Sequence, residues 1–394
     1  EWAPAATALS LVGDFNRWDP EAHPCVALDG GVFELHLPDV ALPDGARAPL
    51  LRPGSLYKVA LRWRSLTNQR RDPGKLSLYM PAWARACVQN RHTAEVCAMV
   101  PLDDVEAFPW RHPRPSKPPV SMRVYEVHPG IASVDETIAT WAHLRTEVLP
   151  RVVRLGYTAL LLLGVQQHGY YASFGYQVTS YFAPSERFGS PRELQELIDA
   201  AHAHGLLVLV ELVHAHASSN DREGLIQDAQ GGPYFLPGAA GHHPVWGTRI
   251  FDYSRTEVLR FLLANILWWV RAYRFDGFRL DAASTVLYKH RSLGERGSFS
   301  GAYHEYFSAD AELDEAGYTY LKLANHLGAE CRPPLVTVAE EHSGMPGLCA
   351  PVAELGVGFD FRQAMGIPSL WAHVLSLAEA PLDASLPVDY IAAE

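Results

Sequence analysis

From the first residue to about residue 105, short apolar runs alternate with turn-forming residues. The runs at 8–12, 31–37, 55–62 and 95–101 are too short for helices, and no long 3.6-residue apolar period interrupts them. Asp29-Gly30-Gly31 reads as a turn between two of them. The pattern predicts a β-sandwich over residues 1–105. Prolines then recur at 109, 113, 115, 118 and 119, so residues 106–120 read as a stiff linker.

After residue 121 the period changes. Apolar runs at 123–128, 157–163, 206–213, 275–281, 335–340, 359–362 and 388–393 read as strands. Helical patterns fall between them at 138–155, 191–204, 256–273, 317–327 and 367–378. The strands are almost wholly apolar, as parallel strands buried on both faces are. Repeated β-then-α units predict a parallel barrel or a doubly wound sheet over 121–394. Polar residues recur at the ends of these runs: Glu126 and His128, Glu211, His214 and His216, Arg279 and Asp281, Glu340 and Glu341. A barrel collects its chemistry at that end.

Composition narrows the partners. The 394 residues are 48% hydrophobic and 20% charged, which fits globular domains. The net charge of -11 and the lack of a long basic run argue against nucleic acid. No apolar segment reaches membrane-span length, so no membrane partner is expected. Ten Trp and 17 Tyr suit the flat C–H faces of a neutral sugar polymer, although most are expected to be core. The five cysteines are scattered and form no CxxC, which favours free thiols in a reducing compartment. The chain opens at Glu1 without Met or a signal-like start, so the natural N-terminus is expected upstream. Cytoplasm and plastid both stay open as locations.

Arg279 and Asp281 lie two apart on one predicted strand and share a face, where the cation can hold the carboxylate ionised. Ala339-Glu340 closes the next strand. Adjacent strand ends in a barrel would supply the carboxylate pair of a retaining glycosidase, one nucleophile and one acid/base about 5 Å apart. Helix capping or a surface ion pair is the competing reading of such residues. His214 and His216 share a face only if their strand persists, and no third ligand stands at metal spacing. His202 and His204 diverge on a helix. Neither a metal nor another cofactor is expected.

Longer stretches resemble one family. Tyr170-Tyr171-Ala172-Ser173-Phe174-Gly175-Tyr176-Gln177-Val178-Thr179-Ser180 is very similar to eukaryotic-type glucan branching enzymes of the α-amylase superfamily. So are Tyr125-Glu126-Val127-His128, Tyr273-Arg274-Phe275-Asp276-Gly277-Phe278-Arg279, Glu340-Glu341-His342-Ser343-Gly344-Met345-Pro346 and Gly358-Phe359-Asp360-Phe361-Arg362, while Gly277-Phe278-Arg279-Leu280-Asp281 resembles the nucleophile motif of the α-amylase superfamily and Ala339-Glu340 its acid/base motif. Glu1-Trp2-Ala3-Pro4 and Gly13-Asp14-Phe15-Asn16-Arg17-Trp18 resemble that family's carbohydrate-binding β-sandwich. The resemblance implies an α/β catalytic domain of the (β/α)8 TIM-type, truncated at about strand 7. It implies an α-glucan substrate, Asp281 as nucleophile, Glu340 as acid/base and Arg279 in support of Asp281. Tyr176, His216, Gln177 and His168 would be substrate contacts.

Three departures temper the match. Glu211 and Glu341 stand where the family carries Asp, and His243-Pro244-Val245-Trp246-Gly247 has Pro and Gly where it usually has Asp. The chain stops at Tyr390-Ile391-Ala392-Ala393-Glu394, which resembles the strand before the family's last His-Asp. The third carboxylate and the eighth strand are therefore expected beyond Glu394, or a partner chain is expected to cover the opening. The rival reading is a non-catalytic, branching-enzyme-like binding or structural subunit. A hydrolase such as isoamylase is disfavoured by the Tyr170–Tyr176 motif.

Overall fold

A computed structural model of the chain describes residues 1–41, 45–63, 76–90, 95–117, 121–227, 232–293 and 312–363. The chain divides into two compact units, Glu1–Phe278 with Cys331–Leu335, and Arg279–Glu330 with Val336–Glu394.

In the first unit, residues up to 99 form a five-stranded antiparallel sheet. Its order is Ala6–Gly13, Leu56–Trp63, Val96–Met99, Cys87–Gln89, with Leu76–Tyr79 also pairing to Leu56–Trp63. Leu9 faces Leu61 and Leu11 faces Val59 across the first pair. The buried side chains include Leu9, Phe33, Val59, Leu61, Trp63 and Tyr79. Trp63 Nε1 donates to Tyr79 Oη at 2.9 Å, so both rings are buried with their polar atoms paired. Two short ribbons, Val26–Ala27 with Phe33–Glu34 and Val40–Ala41 with Arg47–Ala48, complete this part. Leu76–Tyr79 and Cys87–Gln89 lie outside the predicted runs, because each is too short to show a period.

The proline-rich stretch runs along the first unit under several hydrogen bonds. Arg111 N and His112 N donate to Asp199 Oδ1 at 2.9 and 3.1 Å, Arg114 Nε reaches Asp276 Oδ1 at 3.0 Å, and Lys117 Nζ reaches the Leu335 carbonyl at 3.0 Å.

Val124–Val127, Ala159–Leu162 and Leu207–Leu212 then pair in parallel, and Gly277–Leu280 is next in order. That strand straddles the division between units. In the second unit the order continues with Val336–Glu340 and Phe361–Gln363, which are parallel. This is the α/β barrel-type sheet expected beyond residue 121. The predicted helix at 367–378 and strand at 388–393 lie outside the described residues.

The long helix falls where its apolar stripe predicts, at Thr256–Tyr273. Val258, Phe261, Leu262, Asn265, Ile266, Trp269 and Ala272 form its buried face at i, i+3, i+4 spacing. It stops at Arg274, which takes the left-handed conformation at φ 54°. Asn265 is the one polar residue among these, and it is satisfied. Its Nδ2 donates to the Tyr181 carbonyl at 2.7 Å, and its Oδ1 lies 3.1 Å from Gln166 Nε2 and 2.9 Å from His214 Nε2. The helix expected at 138–155 starts later, at Trp141, capped by the Thr140 hydroxyl, and contains a π turn at Leu144–Val148.

Candidate active site

The second unit holds Arg279, Asp281 and Glu340 together. The strand Gly277–Leu280 ends one residue before Asp281, and Ala282 turns the chain immediately after it with φ 50° and ψ 46°. A left-handed alanine is a strained residue, and it aims its N–H at Glu340 Oε2, 2.9 Å away. Glu340 ends the strand Val336–Glu340, and its Oε1 lies 3.2 Å from Arg279 Nη2. Arg279 Nε also donates to Gln363 Oε1 at 2.8 Å, which fixes the guanidinium from the next strand. The Asp281 side chain lies beside Glu340 and helps to lower its carboxyl.

Burial pushes the Glu340 carboxyl up. The hydrogen bond from His342, the Arg279 charge, the Asp281 hydrogen bond and the Ala282 N–H outweigh it and hold the group well below the usual carboxylate range. Glu341 points the other way. It is 2% exposed and accepts from Ser343 N at 2.7 Å, Gly344 N at 3.0 Å, Ser284 Oγ at 3.1 Å and the Ser343 hydroxyl. Its extra methylene relative to Asp is absorbed in a staple that fixes the turn after Glu340.

The first unit holds the other predicted residues. Tyr176 and Gln177 follow a tight loop. Gly175 has φ 98° and packs on Gly164 so closely that a Cβ there would meet the Gly164 Cα at 2.5 Å. His128 pins the same loop, its Nε2 2.9 Å from the Phe174 carbonyl. Tyr176 is half-buried and donates from its hydroxyl to Glu211 Oε1 at 3.3 Å. Gln177 Nε2 reaches the Trp246 carbonyl at 3.2 Å. The strand Leu207–Leu212 stops before His214 and His216, so these two need not share a face. His214 turns to Asn265, and burial pushes its imidazole down to about 4. His216 packs against Trp246 at 4.8 Å between ring centres. Burial, with the His243 charge adding to it, pushes His216 down to about 3, so it is neutral at physiological pH. Its Nδ1 is buried without a hydrogen-bond partner. His168 is wholly buried, with Nδ1 2.9 Å from the Gln166 carbonyl, and burial pushes it down to about 4. Among the described residues no group of three His, Cys, Asp or Glu is placed to hold a metal, and no helix is long and apolar enough to cross a membrane.

Sequence reasoning missed His342, Ser284, Gln363 and the Ala282 N–H. His342 had a signal, adjacency to Glu340-Glu341. Ser284 and the Ala282 N–H come from the turn after Asp281, which no periodicity encodes, and Gln363 ends a strand too short to show a period.

With this geometry in place, known proteins give it context. Residues 1–84 match carbohydrate-binding module 48, the isoamylase N-terminal domain. Over 95% of its length the chain is 43% identical to a horse protein, 42% to one from Emericella nidulans and 40% to one from Arabidopsis thaliana. The first two are named 1,4-alpha-glucan-branching enzyme, and the third 1,4-alpha-glucan-branching enzyme 2-2, chloroplastic/amyloplastic. The chain is a sequence relative of the 1,4-alpha-glucan-branching enzymes. It spans about half the length of these curated relatives, 51%, 53% and 45% respectively. In fold it resembles the catalytic module of the glycogen-degrading pneumococcal virulence factor SpuA, with TM-score 0.59 and 17% identity over 86% of this chain and 48% of that one. It also resembles a pullulanase from Bacillus acidopullulyticus, with TM-score 0.56 and 16% identity over 88% and 41%. The architecture is thus a carbohydrate-binding-type β module followed by an α-amylase-like fold.

Proposed function

We propose that this chain carries the reacting carboxylate pair of a glucan branching transferase that works by retaining double displacement. The observation that carries the reading is Glu340 held by Arg279 and the Ala282 N–H at the end of its strand, with the Asp281 side chain beside it. Carboxyl groups set side by side at the ends of adjacent strands suit the spacing of about 5 Å that retaining enzymes use, where inverting enzymes use about 6.5–9.5 Å.

In the first step Asp281 attacks the anomeric carbon of an α-1,4-linked glucose. Glu340 in its protonated form gives its proton to the departing 4-oxygen. The C1–O4 bond breaks as the C1–Asp281 ester forms. In the second step Glu340 takes the proton from the 6-hydroxyl of an acceptor chain, whose oxygen displaces Asp281. The product is an α-1,6 branch with the anomeric configuration restored. Tyr176, Gln177, His216 and His168 are assigned to substrate binding, His168 from behind the surface because it is wholly buried. Residues 1–105 serve as the glucan-binding module, 106–120 as the connection and 121–394 as the catalytic domain. The partner is an α-glucan polymer.

The test uses the full-length protein on amylose, read by loss of iodine colour and by chain-length profiles after debranching. New short branches in wild type and none in Asp281→Asn support the reading. Wild-type protein that neither transfers nor hydrolyses overturns it in favour of a glucan-binding subunit.

A further inference from the structure

Glu340 sits between two cations of different kinds. Arg279 is inside, its side chain 6% exposed, and it is charged at every pH of interest. His342 is outside, its side chain 45% exposed, with Nε2 3.6 Å from the same Glu340 Oε1 that Arg279 engages. The imidazole is not on a loose loop. His342 N donates to Ser284 Oγ at 3.0 Å, and Ser284 in turn donates to the buried Glu341. That staple fixes the residues on both sides of His342.

We propose that His342 is a titratable positioning residue for Glu340: as imidazolium it holds the carboxylate as an anion, and as neutral imidazole it lets Glu340 keep the proton needed by the leaving glucan oxygen. This rests on the transferase reading above. Among the described residues, the charges acting on His342 are Glu340, the buried Glu341 and Arg279 from the neighbouring strand, with Asp281 reached through Glu340. The Glu340 contact raises the imidazole above its ordinary value. Burial opposes it, the Glu340 and Glu341 charges add to it and Arg279 opposes it again, leaving the group raised. By linkage, an anion that stabilises the imidazolium is itself stabilised by it.

The direction follows. In a retaining site the alkaline limb of kcat/KM reports loss of the proton from the acid/base. A permanent cation at 342 keeps Glu340 ionised and moves that limb to lower pH, whereas a neutral side chain moves it to higher pH. In the full-length protein His342→Gln is expected to shift the limb upward and His342→Lys downward, with wild type between. The span is roughly half a pH unit on each side, the scale of a half-exposed contact. Shifts of the same sign, or none, overturn the proposal, because a purely structural role does not distinguish Gln from Lys by charge. A second measurement needs no turnover. The pH at which diethyl pyrocarbonate modifies the His342 peptide should fall in Glu340→Gln, and an unchanged profile overturns the contact. Absence of branching by wild type, by contrast, overturns the transferase reading and leaves this titration to decide the contact on its own.

Discussion

Asp276 and Asp281 flank the two ends of one short strand, Gly277–Leu280, and their surroundings differ in kind. Asp276 is 2% exposed and saturated. Its Oδ1 accepts from Arg114 Nε at 3.0 Å, and its Oδ2 from His202 Nε2 at 2.8 Å and Val208 N at 2.7 Å. Arg114 also donates to the Phe275 carbonyl at 3.0 Å, so the cation is held as well. Nothing there is available to a reactant. Asp281 lies beside a second acid, Glu340, and that acid faces a half-exposed imidazole. A carboxylate ringed only by donors holds a fold together. Two acids set side by side, one of them next to a half-exposed imidazole, can exchange a proton with a reactant. In barrel folds the chemistry gathers at the C-terminal strand ends, and the opposite ends serve stability.

The strongest way to break the comparison is to neutralise each acid in the full-length protein. Glu340→Gln should lower branching by about 10²–10⁴-fold, the range for loss of a general acid/base, and Asp281→Asn by more, because it removes the bond-forming atom. Both proteins should melt close to wild type. Rates are read from debranched chain-length profiles. Full activity in either variant would remove the pair from the mechanism.

Asp276→Asn should do the reverse. Removing one partner of a buried ion cluster costs about 3–5 kcal/mol, because Arg114 and His202 stay buried without their anion. A lowered urea midpoint with normal activity per folded molecule is expected. Equal stability would show that the cluster is not structural.

A smaller effect separates the charge from the fold by pH. Burial raises the Asp199 carboxyl, but hydrogen bonds from Arg111 N, His112 N and the His112 ring, with the His112 charge, outweigh it and leave the group lowered from 3.8. A carboxyl lowered in the folded state contributes stability that is complete above its unfolded value and lost as pH falls through its folded value. Wild type should therefore exceed Asp199→Asn by a constant margin at neutral pH, and the margin should shrink once pH drops below 3.8. Denaturant midpoints across that range check it; a margin that grows in acid would reverse the assignment.

These contrasts show what the sequence could disclose. The helix Thr256–Tyr273 and the strands Leu207–Leu212 and Val336–Glu340 were readable because one burial pattern runs through each. The placing of Asp281 and Glu340 at the ends of adjacent strands was readable from strand parity, and the roles proposed for them rest on resemblance. The saturation of Asp276 was not, because Arg114 comes from a proline-rich stretch that reads as linker. Its contacts run to residues 162 and 161 positions away, and no local pattern carries them. The separate fates of His214 and His216 were open for a similar reason. They depend on where the strand stops, and boundaries are the least readable feature of a sequence.

The smallest effect concerns the helix Pro191–Ala203, which delivers His202 to Asp276. Ser190 caps it. Ser190 Oγ accepts from Glu193 N at 3.2 Å, and Glu193 Oε2 accepts from Ser190 N at 2.7 Å, a capping box with Pro191 at the first helical position. Ser190→Ala leaves the Glu193 N–H dependent on water and should cost about 1 kcal/mol. Ser190→Asp should cost less, since it restores the acceptor at the positive end of the helix dipole. The cap and His202 are separated by most of the helix, about 18 Å at 1.5 Å per residue. If Asp276 draws its stabilising effect from local saturation, Ser190→Ala and Asp276→Asn should add to within about 0.5 kcal/mol, as distant sites do. A larger coupling would mean that the helix moves as a lever when its cap is lost. Asp276 would then be held by the helix as a whole, and its contrast with Asp281 would lie in the rigidity of the element behind each acid and not in the donors around it.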